Sequence, residues 1–522
     1  MNRSIQSILL INTPLDPDIR ESSSTSCFPP LSLISIATHL REHIPEVRVN
    51  IVDGGICSTD YILTVLEAMC PDLIGVSTYT ASYSSALNIA KAAKKHNSIV
   101  VFGNDHASHV ASAILTNQRE TVDFIVHGDY GEIPMELLIR HLRGEIPVKQ
   151  VPGLVWRGQR GKINANPIRE QNLDEIPIAD RHLLPKPRSM GLAHMRESKL
   201  QGLTPYVSNF REKYPASSDF TPTTINIARG CKHGSQKYRY GIPSSKNCIY
   251  CDICDLRLRH VSPHRAWSEV RYLVDNFGID FLHEVADSFT SFPAFIESLV
   301  RHKPSDLNVK WFVYARAKEL ANPRIIDLLK QLGVIRVNVG MDSGDDTMLR
   351  ALHKGHGVDI NKRAAQLLAR NKIQLQCSFV LGAPGETTQS LQHTVNFLNY
   401  LLDLGNVVAI DPSPLLPLPG APAWRMLTDP EYRSIQARRF GFRIKADIDK
   451  FVKKYVNQDC LSTGELAEEW VRQFCNVDYN TILRYMDRLL AITGSARVVR
   501  GGFGIAHDST IGNGWTFPSL EK

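Results

Sequence analysis

Short apolar runs alternate with amphipathic stretches through residues 1–145, and the same alternation starts again near residue 224. A chain that buries a strand, then one face of a helix, then another strand folds as β/α layers, because parallel neighbours need a crossover to bring the chain back. In the first series the strand candidates are Ile8 to Ile11, Val47 to Val52, Leu73 to Ser77, Ile99 to Phe102 and Val122 to Val126. Helical stretches fall between and after them: Leu31 to Glu42, Tyr61 to Met69, Ser84 to Lys95, His109 to Thr116 and Ile133 to Leu142. This predicts an α/β, Rossmann-like (flavodoxin-like) doubly wound sheet over 1–145. Such sheets take ligands outside the carboxyl ends of their strands.

Residues 146–222 break the rhythm with Pro147, Pro152, Pro167, Pro177, Pro185, Pro187, Pro205, Pro215 and Pro222, and are expected to be a linker. The second series places strands at Thr224 to Ala228, Phe281 to Val285, Lys310 to Ala315, Ile335 to Val339, Leu375 to Leu381 and Val407 to Ile410. Helices are expected at Trp267 to Asn276, Phe292 to Arg301, Pro323 to Leu332, Ile360 to Ala369 and Ser390 to Leu404. Six such repeats predict a partial (β/α)6 barrel over 223–424, with its site again at the carboxyl ends of the strands. Residues 425–522 read as a basic, mostly helical extension (Arg433 to Lys454, Leu466 to Phe474, Tyr479 to Leu490) that ends in a Gly-rich tail from Gly494.

The 522 residues allow about two to four domains. A net charge of +7 is too small at this length to imply nucleic acid. No stretch reaches the roughly eighteen apolar residues of a membrane span, and the N-terminal apolar run stops at Asn12 and Pro14. A cytoplasmic chain without nucleic-acid or membrane partners is expected. Of its 10 cysteines, Cys231, Cys248, Cys251 and Cys254 crowd into one segment. In a reducing compartment that pattern points to metal rather than disulfides. Four thiolates suit a structural zinc; three suit a 4Fe-4S cluster with one iron left open; buried, unligated thiols are the third reading.

Arg229, Gly230 and Cys231 end the first strand of the second series, and CIYC follows at Cys248, Ile249, Tyr250 and Cys251. This text resembles the radical S-adenosylmethionine (SAM) enzymes, whose CxxxCxxC follows a strand ending Arg-Gly-Cys and has an aromatic residue before its last Cys. The departure is the 16-residue gap of Lys232 to Asn247, which leaves Cys248, Cys251 and Cys254 as a compact alternative trio. Later segments resemble the same family in order: VADSFT (285–290), WFVYARAKEL (311–320), GMDSG (340–344), VLGAPGET (380–387) and PLPGAPAW (417–424). FPPLSLISIATHLRE, PDLIGVSTYTASYSSALNIAK, VVFGNDHAS and VDFIVHGDYGEIPMELL resemble the cobalamin-binding domain that precedes the barrel in one subfamily, and NLDEIPIADRHLLP resembles the text joining the two.

The resemblance implies three cofactors: a 4Fe-4S cluster on Cys231, Cys248 and Cys251, with Cys254 as the alternative ligand; SAM; and cobalamin. Tyr250 would back the adenine, while Arg316, Asp342 and Ser343 would reach the SAM carboxylate or ribose, an Arg fork suiting a carboxylate. An Arg316–Glu319 ion pair and a plain turn at Asp342 and Ser343 are the structural alternatives. Cobalamin would meet Ser77, Thr78 and Thr80 after the third strand, Gly103, Asn104, Asp105 and His106 after the fourth, and Gly128 and Asp129 after the fifth. No Asp-x-His-x-x-Gly text is present to supply a lower cobalt ligand, so His106 is expected to pack by or bond to the corrin or its tail, or to be a turn residue. The insertion Lys232 to Asn247 has four Lys or Arg, no acid and two Tyr, and would either cover the active site, hold an anionic substrate, or be a solvated loop. Cys27, Cys57, Cys70, Cys377, Cys460 and Cys475 have no partner motif.

The family's activity is reductive cleavage of SAM to a 5'-deoxyadenosyl radical. In this subfamily methyl transfer through methylcobalamin to an unactivated centre of a small molecule is the expected outcome, fed by an external one-electron reductant of flavodoxin or ferredoxin type. Oxidation, cyclisation or rearrangement without methyl transfer is the alternative reaction, and a zinc-stabilised binding protein on a degenerate barrel is the non-catalytic alternative.

Overall fold

The computed structural model describes residues 4–16, 27–186, 199–235, 247–255, 257–445, 447–494 and 499–500. Most of the insertion (236–246) and most of the Gly-rich tail lie outside the described residues.

Strands β1 (Ser7–Asn12), β2 (Arg48–Asp53), β3 (Leu73–Ser77), β4 (Ile99–Gly103) and β5 (Phe124–Val126) form a parallel sheet in the order β2-β1-β3-β4-β5. That is the flavodoxin-like order, and it places the switch point between β1 and β3. The expected helix from His109 to Thr116 is two short helices, Asn104–His109 and Ala111–Asn117, with a break at Val110. The connecting region differs more. Residues Leu154–Arg157 (β6) and Ile163–Ala165 (β7) add an antiparallel hairpin beside β5, so the sheet has seven strands. Both strands are short and bracketed by Pro152 and Pro167, which hid their apolar alternation. Two layers of helices cover the sheet: Thr59–Met69, Tyr83–Lys95 and Ala111–Asn117 enclose one core, while Leu31–His43 and Glu132–Leu142 face a second.

That second core runs without interruption through the linker residues Leu173, Ile176, Leu184 and Tyr206 into the barrel. The fully buried Arg181 donates to Thr224 O (2.7 Å) and to Glu269 (3.2 Å), and Tyr206 Oη donates to Asp53 (2.7 Å). The linker is therefore packed structure between the two sheets.

The six expected barrel strands are present: β8 (Pro222–Ile225), β11 (Phe281–Glu284), β12 (Lys310–Ala315), β13 (Val334–Asp342), β14 (Gln374–Leu381) and β15 (Val407–Pro414). They pair in parallel in chain order, and Val499–Arg500 (β16) adds a short seventh strand beside β15. Between β8 and β11, Ala228–Arg229 (β9) pairs antiparallel with Arg259–His260 (β10). The helix Pro323–Leu332 ends at Gly333 with φ +103°, the left-handed turn that lets β13 start at once.

The extension folds as helices Pro430–Phe440, Ile448–Tyr455, Thr463–Phe474 and Tyr479–Gly494. It braces both domains. Trp470, fully buried, donates Nε1–H to Gly382 O in the barrel (2.7 Å). Asp459 accepts from Tyr83 (2.7 Å), Asn117 (2.8 Å) and Gln118 (2.9 Å) in the first domain. No described helix is long and apolar enough to cross a membrane.

Candidate active site

The β9–β10 pairing closes a loop that leaves the barrel at Gly230 and returns at Arg259, and all four clustered cysteines lie on it. Gly230 turns the chain with φ +101° while its N–H donates to Asp287 (2.7 Å). At the loop's middle, Ile249 N donates to Leu352 O (3.2 Å) and Ile249 O accepts from Ala423 N (2.7 Å). At its two ends, Arg229 donates to Asp129 O (2.7 Å) and Arg259 to the Asp129 carboxylate (2.6 Å). One loop is thus fastened to the barrel and to the first domain together.

Burial pushes the Cys231 and Cys251 thiols up, and the neighbouring Cys248 sulfur raises both further. For Cys248 burial acts in the same direction, but Lys354, a hydrogen bond from His233 and Arg316 outweigh it and bring the thiol down to about 6. Arg316 Nη1 stands 3.6 Å from the Cys248 sulfur. Cys254 points elsewhere: burial and the Asp105 carboxylate raise it, and its sulfur lies 3.3 Å from His109 Nε2. A tetrahedral zinc held at about 2.3 Å by thiolates needs S···S separations near 3.8 Å. Among the described residues no three thiols come within 4.8 Å of one another. Cys231, Cys248 and Cys251 are not grouped that tightly, and the positive charge of Lys354 and Arg316 by Cys248 suits an anionic cluster of several irons.

Tyr250 Oη donates to Asp342 Oδ2 (2.7 Å), and Lys354 Nζ reaches the same oxygen (2.7 Å) and Tyr250 Oη (3.1 Å). Asp342 sits in a left-handed conformation (φ +58°) at the irregular end of β13. A Cβ on Gly340 would come within 2.8 Å of Lys354 Nζ, so this glycine makes room for the lysine. Arg316 Nη2 donates to Lys354 O (2.6 Å), whereas its separation from Glu319 is 3.8 Å, too long for a hydrogen bond. Arg316 is therefore aimed at the cysteine loop. Lys354 was missed in the sequence, although its place in HKGHG directly after a helix is the kind of turn that delivers a side chain to a strand end. Ser343 does not join the group: its Oγ accepts from Asp345 N (3.1 Å) and meets Thr394 (3.2 Å).

The carboxyl edge of the first sheet is more self-contained. Thr78 spends its N–H (3.0 Å) and hydroxyl (2.7 Å) on Gly103 O, and Asn104 donates to Ser77 Oγ (3.1 Å). Gly128 holds φ +123° with its N–H on Ser108 (3.3 Å). Thr80 and His106 bond each other, and His106 also bonds the extension. His106 donates Nε2–H to Asp459 O (2.9 Å) and accepts from Thr80 at Nδ1 (3.0 Å), with the Tyr83 ring 4.4 Å away. Both ring nitrogens are used, because the extension, whose role the sequence did not disclose, docks on this histidine. Asp105 turns toward His109 and Cys254. What remains suited to a large amide-bearing corrin lies after β3 and β5: Tyr79 is exposed, and Asp129 Oδ1 and Tyr130 Oη are buried polar atoms with no hydrogen-bond partner among the described residues. These residues fit the cofactor.

Outside the cysteine loop a cavity of about 1060 Å³ is lined by His233, His353 and His356, by Lys318 and Arg350, and by Arg438 and Arg439 of the extension. Among the described residues none of these four Lys and Arg has a carboxylate within ion-pair reach.

Comparison with known proteins finds two family models that match the two parts of the chain. The model of the radical SAM superfamily matches residues 238–398, and that of the B12 binding domain matches residues 20–139. The chain is 26% identical over 423 residues to an uncharacterized methyltransferase of Pyrococcus horikoshii, covering 78% of this chain and 82% of that one. It is 24% identical to an anaerobic magnesium-protoporphyrin IX monomethyl ester cyclase of Rubrivivax gelatinosus (79% and 66% covered), and 23% identical to the cytidylyl-2-hydroxyethylphosphonate methyltransferase of Streptomyces wedmorensis (76% and 77%). Its fold is similar to that of OxsB, a cobalamin-dependent SAM radical enzyme (TM-score 0.65, 16% identity, covering 94% of this chain and 67% of that one). It is also similar to that of the methyltransferase TsrM from Kitasatospora setae (0.61, 17%, 82% and 78%). The chain is an enzyme that belongs to the cobalamin-binding radical SAM family, whose cofactors are a 4Fe-4S cluster, SAM and cobalamin.

Proposed function

We propose that the chain transfers a methyl group, through its corrin, to an unactivated centre of a small-molecule substrate. The observation that carries this reading is the double attachment of the cysteine loop: Arg229 and Arg259 grip Asp129 in the first domain, while Cys248 and Tyr250 face Arg316 and Lys354 in the barrel. A loop so held addresses both cofactors from one place. In this reading Cys231, Cys248 and Cys251 hold the cluster, Tyr250 and Asp342 with Arg316 receive SAM, and the ends of β3 to β5, with Ser77, Thr78, Gly103, Asn104, Gly128 and Asp129, receive the corrin.

When bound, these groups supply one-electron cleavage of the SAM sulfonium and carriage of a methyl group on cobalt. The protein positions and shields. Lys354 holds the Asp342 carboxylate in place through their 2.7 Å contact, and Asp342 in turn fixes the Tyr250 hydroxyl. Arg316 keeps guanidinium charge beside the Cys248 sulfur. Trp470 and the extension seal the fifth-strand loop at Gly382. The unpaired cations around the outer cavity suit an acidic one-electron donor of flavodoxin or ferredoxin type.

Products test the reading. Anaerobic turnover with reductant should give S-adenosylhomocysteine and 5'-deoxyadenosine in equal amounts, since one SAM donates the methyl and a second abstracts hydrogen. Deoxyadenosine without S-adenosylhomocysteine would favour the second reading, oxidation, cyclisation or rearrangement without methyl transfer, which similarity to the cyclases supports.

A further inference from the structure

Cys254 completes the CxxC step after Cys251, yet its sulfur faces the first domain. There it meets Asp105 and His109, which lie four residues apart on one face of the helix Asn104–His109. One ligand atom from each of the three residues lies within 4.8 Å of the other two, and His109 Nε2 is 3.3 Å from the Cys254 sulfur. A tetrahedral zinc with nitrogen at about 2.0–2.1 Å and sulfur at about 2.3 Å has an N···S edge of about 3.5 Å. The observed pair is already at that spacing. The imidazole is also held in position: a Cβ on Gly420 (φ +93°) would fall within 2.4 Å of three ring atoms, so the backbone of the PLPGAPAW loop lies directly against it.

We propose that Asp105, His109 and Cys254 form a divalent-metal site, selective for zinc-like borderline cations, that joins the first domain to the cysteine loop. A thiolate, an imidazole and a carboxylate form a donor set that suits Zn²⁺ over Mg²⁺ or Ca²⁺. The cation takes the place of the His109 Nε2 proton, which in its absence is shared with Asp252 O. The loop then has a metal clamp in addition to the two arginines on Asp129. The site does not depend on what Cys231, Cys248 and Cys251 hold.

The test is metal content of the full chain, free of any affinity tag. In a Cys231→Ala/Cys248→Ala/Cys251→Ala background, zinc cannot occupy the other thiols. One equivalent of zinc should remain after gel filtration, and adding Cys254→Ser or His109→Ala should weaken its retention by at least about tenfold. Cobalt(II) titrated into the same protein should give a thiolate charge-transfer band that Cys254→Ser removes. Should the triple variant fail to fold, the anaerobically reconstituted Cys254→Ser protein is compared with the unaltered chain, and it should lose zinc while keeping its iron. Zinc binding that is absent, or unchanged by Cys254→Ser, or a Cys254→Ser protein that loses iron instead, would overturn the proposal.

Discussion

The barrel mouth and the carboxyl edge of the first sheet are both strand-end sites, but they are prepared differently. At the mouth, charge converges: Arg316 and Lys354 are buried and aimed at a thiol, a phenol and a carboxylate. At the first sheet's edge, most of the described polar side chains bond one another or the extension, and Asp129 Oδ1 and Tyr130 Oη are buried polar atoms left without a hydrogen-bond partner among the described residues. A small charged ligand needs fixed counter-charges, because they cost heavily if moved into place at binding.

This contrast makes Lys354 the most sensitive single position at the mouth. Lys354→Met leaves the Asp342 carboxylate buried and unpaired, with side-chain exposures of 5% and 2% for the pair. The expected cost is about 3–5 kcal/mol of stability together with loss of SAM affinity, read by chemical denaturation and by equilibrium dialysis of SAM. Corrin binding by the folded fraction should be unchanged; a parallel loss of both would erase the distinction between the two regions.

His106 tests the other side. Burial depresses its pKa from 6.5 to about 4. The unfolded chain takes up a proton near 6.5 and the folded one does not, so this residue's contribution is complete above pH 6.5 and is lost as pH falls toward 4, by about 3 kcal/mol. Unfolding of His106→Gln should show a shallower decline over that window than the unaltered chain. Its corrin affinity should match that of the unaltered chain at pH 7.5, since both ring nitrogens are already engaged by Asp459 and Thr80.

The β/α order of both sheets was legible in the sequence because each strand is an apolar run bounded by an amphipathic helix. The β6–β7 hairpin was not, since its strands are short and set among prolines. The local motifs pointed to Cys231, Cys248, Cys251, Tyr250, Arg316 and Asp342, and it is their order along the chain, not the gap between Cys231 and Cys248, that carries the resemblance. What escaped depends on partners distant in sequence. Lys354 matters through Tyr250, 104 residues away, and His106 is claimed by Asp459, 353 residues away. No local pattern encodes such pairings. Ser343 sits in the same GMDSG motif as Asp342, but a turn rotates its hydroxyl onto Thr394.

Ser343→Ala should therefore cost about 1 kcal/mol of stability and leave SAM affinity unchanged, which separates it from its neighbour. The smallest effect is expected at the outer cavity. Arg438→Ala/Arg439→Ala should slow reduction by an acidic flavodoxin severalfold at low salt, and the difference should vanish as ionic strength rises. Equal slowing at every salt concentration would argue against docking at those cations.

The most direct measurement of the central claim is electron paramagnetic resonance of the reduced, anaerobically reconstituted protein, with and without SAM, for Cys231→Ala and Cys254→Ser. Cys231→Ala should give no 4Fe-4S signal, and Cys254→Ser should give a cluster signal that shifts when SAM is added. A normal SAM-responsive signal from Cys231→Ala, with its loss in Cys254→Ser, would contradict the claim.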